Sequence, residues 1–341
     1  MDGHYKNWGT HDMKRRKAAG RIALLLAMMT TLLTGCGGVF DPQGPVAKDQ
    51  FFLIKFSFGI MLVVMVVVFA LFIYALIRYR KRKGQTGYPE QVEGSHKLEI
   101  IWTVIPFILV IILGVTTVAY TFKAADQTND EGNMQIKVIA HQFWWEFIYS
   151  DLDIHTAQDL VIPENTWVTV ELESNDVVHS FWIPQLAGKM DTNPGITNRM
   201  SFKSDVAGKV FKGKCAELCG ASHALMDFKV VTKSAEDFEA WMASMKTPVE
   251  VTAATEAGSQ VFTNQCIGCH AVTVDSASAG PNLAGFADRD KVAGYRDNTE
   301  DWLRQWLSDP QELKPGTSMP KIPLSDQELD DLVVYLQSLK Q

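Results

Sequence analysis

Two long apolar runs dominate the first third of the chain. Residues 56–77 are 22 positions without a charge, bounded by Lys55 and Arg78; residues 100–122 are 23, bounded by Glu99 and Lys123. At about 1.5 Å per residue, each spans roughly 33–35 Å as a helix, enough to cross a ~30 Å hydrocarbon core. Two buried core helices of a soluble fold are the alternative, and the unbroken length argues against it. A third apolar run, residues 22–34, has only 13 positions and follows Lys14-Arg15-Arg16-Lys17 and Arg21. A basic stretch and then a short apolar one reads as a secretory signal rather than a span.

Beyond residue 134 the pattern changes. Residues 136–139, 167–172 and 177–183 are rich in β-branched and aromatic side chains, and 167–172 alternates apolar and polar as a half-buried strand does. Pro163-Glu164-Asn165, Ser174-Asn175-Asp176 and Asn193-Pro194-Gly195 punctuate these runs as turns. Several short strands in about 100 residues predict a β-sandwich. Ser234 and Asp237 then open a helix carrying Phe238, Trp241, Met242 and Met245. Residues 246–255 are a short linker of small residues with one proline. Residues 256–341 read as a small helical unit, closed by a helix with Ser325 and Glu328 as its capping box. Leu329, Leu332, Val333, Leu336 and Leu339 form the apolar face of that helix. A helix before it carries Trp302, Leu303, Trp306 and Leu307.

Charge sharpens this division. The chain of 341 residues has net charge −7, but residues 1–35 are +4, 36–122 are +3, 123–250 are −8 and 251–341 are −6. The two C-terminal domains are acidic, which argues against nucleic-acid binding and suits basic partners. Arg78, Arg80, Lys81, Arg82 and Lys83 fill the loop between the spans. The positive-inside rule places that loop in the cytoplasm and both outer ends of the hairpin on the other side. The signal predicts the same topology independently. Its end, Leu33-Thr34-Gly35-Cys36, resembles the bacterial lipobox, which implies lipid attachment at Cys36; an ordinary signal cleaved nearby is the alternative.

Candidate chemistry lies in two segments. Cys215-Ala-Glu217-Leu-Cys219-Gly-Ala-Ser-His223-Ala-Leu-Met226 offers two thiolates, an imidazole and a thioether, a soft set suited to copper. His179, in Val177-Val178-His179-Ser180-Phe181, is the distant second imidazole. Two thiolates can bridge two copper ions, with one His on each; Met226 and the backbone carbonyl of Glu217 could complete the shells. A Cys215–Cys219 disulfide, a zinc site and a Cu(I) storage or delivery site remain as alternatives. His141 and His155 read as structural. The second segment, Cys266-Ile-Gly-Cys269-His270, is the haem-attachment pattern, with both thiols joined to haem and His270 on the iron. A dithiol redox pair and half a zinc site are the alternatives; after residue 250 no further Cys or His exists to complete the latter. Met319, the only Met after residue 245, lies in the turn-rich Pro315-Gly316-Thr317-Ser318-Met319-Pro320 and is the sixth ligand by elimination. His/Met ligation raises the potential into the range of electron carriers.

The copper motif, preceded by Val-His-Ser-Phe, resembles the dinuclear copper centre (CuA) of the cytochrome c oxidase subunit 2 family. His141-Gln142-Phe143-Trp144-Trp145 resembles that family's aromatic segment, and Glu99-Ile-Ile-Trp102-Thr103-Val-Ile-Pro106 resembles the start of its second membrane helix. The likeness covers roughly residues 45–245, and residues 256–341 resemble a class I cytochrome c. Together they look like a caa-type haem–copper oxidase subunit.

The resemblance implies a multidomain chain. Residues 1–35 would be a lipoprotein signal, and 36–122 the lipidated N-terminus with a two-helix transmembrane hairpin. Residues 123–245 would be a cupredoxin-like, Greek-key all-β sandwich with CuA, and 246–255 the linker. Residues 256–341 would be an all-α cytochrome c domain with one covalent haem c. The resemblance also implies that the Glu217 side chain meets a magnesium ion and that Glu99 lies at the mouth of a proton path. Phe143, Trp144 and Trp145 would be electron-path aromatics, with Phe143 where the family usually has the Trp associated with electrons from soluble cytochrome c. Expected partners are oxidase subunit 1 and the other oxidase subunits, membrane lipid, and a small cytochrome c or a quinol–cytochrome c reductase as donor. The expected location is the bacterial cell membrane, with both redox domains extracytoplasmic. A quinol oxidase subunit would lack the copper ligands. A membrane-tethered copper and haem electron carrier without an oxidase core is the alternative function.

Overall fold

The computed structural model describes residues 38–88, 91, 93–128 and 132–341. The signal segment and Cys36 lie outside the described residues. The two apolar runs form helices α1 (Pro45–Arg78) and α2 (His96–Thr128), both longer than the uncharged stretches that predict them. The extra turns carry charges with partners. Lys48 meets Asp205 at 2.5 Å, and Lys123 of α2 meets Asp49 of α1 at 2.5 Å. Each helix therefore continues past the hydrocarbon length into a zone where ion pairs replace lipid contact. Below it, Phe52 and Tyr120 pack with ring centroids 5.6 Å apart, and the apolar side chains of both spans are exposed, as lipid-facing positions must be.

The N-terminal end of α1 is fastened to the sandwich. Gln43 N–H donates to Gln185 O at 2.7 Å, Ala47 N–H donates to Leu186 O at 3.2 Å, and a Cβ at Gly44 would lie 2.2 Å from Lys203 O. Only glycine permits that approach.

The sandwich has two five-stranded sheets. One runs β3 (Ile154–Ala157), β2 (Trp144–Tyr149), β1 (Met134–His141), β5 (Val168–Ser174), β8 (Asn198–Phe202). The other runs β4 (Asp159–Pro163), β10 (Asp227–Lys233), β9 (Val210–Cys215), β6 (His179–Trp182), β7 (Lys189–Thr192). The β1/β5 and β4/β10 pairs are parallel and the other ladders antiparallel. Burial alternates along β1, β2 and β10, so each presents one face to a shared core around Trp145, Phe147, Phe181 and Phe228. Tyr149 crosses that core and both donates to and accepts from the backbone of Val161. Helix α3 (Ala235–Met245), capped by Ser234 accepting from Asp237 N–H at 3.1 Å, buries Phe238 and Met245 against the sandwich.

One predicted strand is shorter than its β-branched sequence suggests. Residues 177–183 begin as strand only at His179, and Val177 and Val178 are exposed. Asp176 accounts for this: its carboxylate accepts from Gln142 N–H and Val177 N–H, both at 2.6 Å, and makes a turn of the approach.

The C-terminal unit holds α4 (Glu256–Gln265), α5 (Glu300–Ser308), the short α6 (Pro310–Leu313) and α7 (Asp326–Ser338). A two-stranded ribbon, β11 (Lys291–Val292) and β12 (Arg296–Asp297), adds to the helices. The Ser325/Glu328 capping box forms in full, and Leu329, Leu332, Val333 and Leu336 are buried. Leu339 is the residue that ends α7, and is buried there. On α5, Leu303 and Leu307 are buried. Gly258 lets α4 cross α7 closely: a Cβ there would lie 2.0 Å from Asp331 O.

Candidate metal and haem sites

The end of β6, the end of β9 and the loop between β9 and β10 meet at one pole of the sandwich. His179 is fully buried, with Nδ1 3.9 Å from Cys215 Sγ. Cys215 Sγ lies 3.8 Å from Cys219 Sγ and 3.2 Å from Glu217 O. Cys219 Sγ in turn lies 3.6 Å from His223 Nδ1 and 3.8 Å from Met226 Sδ. All six donors expected for a copper pair thus converge.

The loop is shaped by its own backbone. Cys215 N–H donates to Met226 O at 3.0 Å, Ala216 N–H to Ser180 O at 2.9 Å and His223 N–H to Gly220 O at 3.1 Å. The sulfurs are free thiols, and 3.8 Å is almost twice the ~2.05 Å of a disulfide, so the disulfide alternative is not what the structure adopts. The close sulfurs shape their own ionisation. Hydrogen bonding from Cys219 pulls the Cys215 thiol far below its ordinary value, and the resulting thiolate, together with burial, pushes Cys219 up. Two sulfurs, two imidazoles, a thioether and a carbonyl fit soft metal ions, and a thioether suits copper better than zinc.

The structure adds residues that the motif does not contain. Asp176 Oδ1 lies 2.7 Å from His179 Nε2, which fixes the ring so that Nδ1 faces the sulfurs. Gln142 Nε2 donates to Cys219 O at 2.5 Å. Asp176 stands three residues before His179 in a turn sequence, a readable signal; Gln142 is distant in sequence and gives none.

The three aromatics occupy different places. Trp145 is core, 6.1 Å from the His179 ring and 5.4 Å from Phe181. Phe143 is buried beneath the copper loop, where a Cβ at Gly220 would meet its ring at 3.1 Å. Trp144 stacks on His141 at 4.1 Å. His141 also meets Glu146 at 3.0 Å, in keeping with a structural role, and His155 lies 3.9 Å from the same carboxylate. The Glu217 side chain is exposed, and among the described residues no His, Cys or acidic group gathers with it into a metal cluster. Glu99 lies in the first turn of α2, with His96 Nδ1 at 3.6 Å.

In the C-terminal unit a cavity of ≈ 320 Å³ is lined by Cys266, Cys269, His270 and Met319, with Phe143 and Trp144 contributed by the sandwich. His270 Nδ1 lies 2.8 Å from Pro281 O, which leaves Nε2 to face the cavity, and burial pushes the imidazole down toward its neutral, metal-binding form. A Cβ at Gly280 would lie 2.9 Å from the His270 ring. The residues present fit a haem attached at the two cysteines and held by His270 and Met319.

A membrane hairpin bearing a soft-ligand metal sandwich and a haem-binding unit defines a membrane-anchored electron-transfer protein. Residues 37–120 match the profile of the cytochrome c oxidase subunit II transmembrane domain, 152–234 that of its periplasmic domain, and 255–340 that of cytochrome c. Cytochrome c oxidase subunit 2 of Alkalihalophilus pseudofirmus is 46% identical, over 96% of this chain and 99% of its own length. The corresponding protein of Bacillus sp. strain PS3 is 47% identical, over 94% and 97%. The crystal structure of the periplasmic domain of subunit II of cytochrome oxidase of Bradyrhizobium japonicum is 28% identical with a TM-score of 0.32, over 34% of this chain and 94% of that one. The chain belongs to the cytochrome c oxidase subunit 2 family, and within it to the form that carries a C-terminal cytochrome c domain.

Proposed function

We propose that this chain is the electron-input subunit of a proton-pumping terminal oxidase. Electrons from an outside donor would arrive at haem c, pass to a binuclear CuA and continue to the haem and haem–copper centre of subunit 1, where oxygen becomes water. The observation that carries this reading is the convergence of His179, Cys215, Glu217 O, Cys219, His223 and Met226 directly beside the loop that leads to Met319.

The cofactors supply one-electron redox chemistry; the protein supplies positions. Cys215, Cys219, His179, His223, Met226 and the Glu217 carbonyl would hold the copper ions. Cys266 and Cys269 would anchor the haem, with His270 and Met319 on its iron. Preorganisation supports the assignment: donors each already within 4 Å of a neighbouring donor need move little on a change of charge, which suits electron transfer. The exposed Glu217 side chain would reach a magnesium ion shared with subunit 1, and Glu99 would lie at a proton-path mouth. The basic 78–83 loop supports a cytoplasmic connection, which puts both redox domains outside. Cys36, in its lipobox, would carry the lipid.

Purification tests the reading. The chain should co-purify with a multi-helix subunit holding non-covalent haem, and the complex should consume oxygen with reduced cytochrome c. It should also contain two copper ions and one covalent haem per copy of this chain. A chain isolated alone, with full cofactors and no oxygen consumption in any membrane fraction, would favour the tethered carrier instead.

A further inference from the structure

Lys314 precedes the Met319 loop and is 3% exposed, an unusual place for an ammonium group. No carboxylate pairs with it among the described residues. Its Nζ donates instead to two carbonyls, Phe143 O on the sandwich and Ala293 O in the C-terminal unit, each at 2.7 Å. Burial pushes the ammonium down to about 7, against the attraction of Asp227 and the Cys219 sulfur.

The neighbouring residues continue the contact. Pro315 O accepts from Ser222 Oγ at 2.7 Å, and Ser222 is buried next to His223. A Cβ at Gly316 would lie 3.5 Å from the Phe143 ring and 3.6 Å from Ala221 Cβ. Residues 314–316 therefore lie on 143 and 221–222, the one segment leading to Met319 and the other to His223. Other cross-contacts lie elsewhere. Lys229 meets Asp290 at 2.7 Å, His155 N–H donates to Val274 O at 2.7 Å, and Val274 and Ala284 pack into the sandwich core.

We propose that Lys314 is the positioning residue of the junction between the two redox domains, holding the Met319 loop against the copper loop in one register. This rests on the proposed path from haem c to copper. A buried ammonium is costly unless its N–H groups are used. Here the two carbonyls that use them come from different domains, so a docked arrangement that takes the cation out of water satisfies it only in this register. The remaining contacts also hold the domains together, and Lys314 is the buried cation among them, beside the segments that lead to Met319 and His223. The transfer that the junction serves moves one electron: the donor iron goes from ferrous to ferric, the copper pair gains one electron, and no bond or proton is exchanged.

The experiment uses the full-length protein with both cofactors bound. Haem c is reduced by a flash-excited donor, and the arrival of the electron at copper is followed by absorbance. Relaxation of the copper EPR signal by ferric haem reports the geometry between the centres. Lys314→Met should slow transfer about tenfold or more, since two hydrogen bonds from a charged donor are lost, and should weaken the relaxation effect. The haem potential and the haem–methionine absorption band should stay unchanged. Lys314→Arg should recover much of the rate, because a guanidinium can also donate to both carbonyls. Ser222→Ala, which removes only the neighbouring bond, should give a smaller slowing and is the second variant if Lys314→Met folds poorly. Wild-type rate and relaxation in Lys314→Met would overturn the proposal. So would a changed haem potential or haem–methionine band, since Lys314 would then act on the haem and not on the junction. A wild-type protein with both centres loaded and no transfer between them would instead remove the proposed path itself.

Discussion

The two redox domains solve the same problem, holding a one-electron centre, from opposite starting points. The sandwich places its metal donors at one pole of a core in which Cys215, Cys219 and Met226 are buried, while Trp145, Phe147, Phe181 and Phe228 pack on one another at its centre. The C-terminal unit is built around its cavity. Its core of Phe262, Leu303, Leu332, Val333 and Leu336 lies beside the ≈ 320 Å³ space bounded by Cys266, His270 and Met319. A metal would sit at the edge of the first core; a haem would fill the space beside the second.

The largest effect should therefore come from denying haem to the second domain. Cys266→Ala combined with Cys269→Ala should cost residues 256–341 their protease resistance and much of their helical signal, because a unit this small would be left with a large unfilled cavity beside its core. Limited proteolysis with copper EPR tests it: the copper signal should survive. A protease-resistant haem-free domain would break the comparison.

Next in size is the converse. Cys215→Ser or Cys219→Ser should abolish the mixed-valence copper signal, while the haem c spectrum stays within a few per cent and thermal unfolding of the sandwich shifts little. Two coppers with unchanged EPR in either variant would exclude the bridging assignment.

The same contrast explains what was legible in sequence. The copper motif announces its ligands because five of the six lie within twelve residues, and the loop geometry follows from that spacing. The haem motif announces its site because thioether attachment needs both thiols beside a histidine. Elements that depend on one short segment were also readable, as with the Ser325/Glu328 box and the apolar face of α7. Relations between distant segments were not. Nothing in the lysine before Pro315 says that it donates to Phe143, 171 positions away. Nor does the β-branched run at 177–178 reveal that the Asp176 carboxylate keeps it out of the strand.

Deletion should have an intermediate effect. Removing residues 251–341 should leave a folded, copper-loaded oxidase, with a small fall in Tm because Val274 and Ala284 no longer cover the sandwich core. Its turnover with soluble basic cytochrome c at low ionic strength should drop severalfold, with Phe143 uncovered in place of the usual Trp. Met319→Leu should act in the same direction more weakly, by lowering the haem potential. Undiminished turnover in both would mean that electrons bypass the haem.

The smallest effect should follow from Cys36→Ser. It should abolish labelling by fatty acid yet leave the protein in the membrane fraction, because two spanning helices hold far more strongly than acyl chains. Unlabelled wild-type protein would refute lipidation.

The fastening of α1 to the sandwich has a mechanical consequence. Gly44, Ala47 and Lys48 grip the backbone of Leu186 and Lys203 and the carboxylate of Asp205, leaving no slack between the helix and the domain above it. Lys123 and Asp49 tie the second helix to the first at the same level. The domain is thus a cap on a stiff two-legged stand. In a thinner bilayer, where helices tilt to hide their apolar length, the cap must lean with the legs, and the copper pole swings through an arc fixed by its height above the pivot. Lipid thickness would then act as a coarse adjustment on where the pole points.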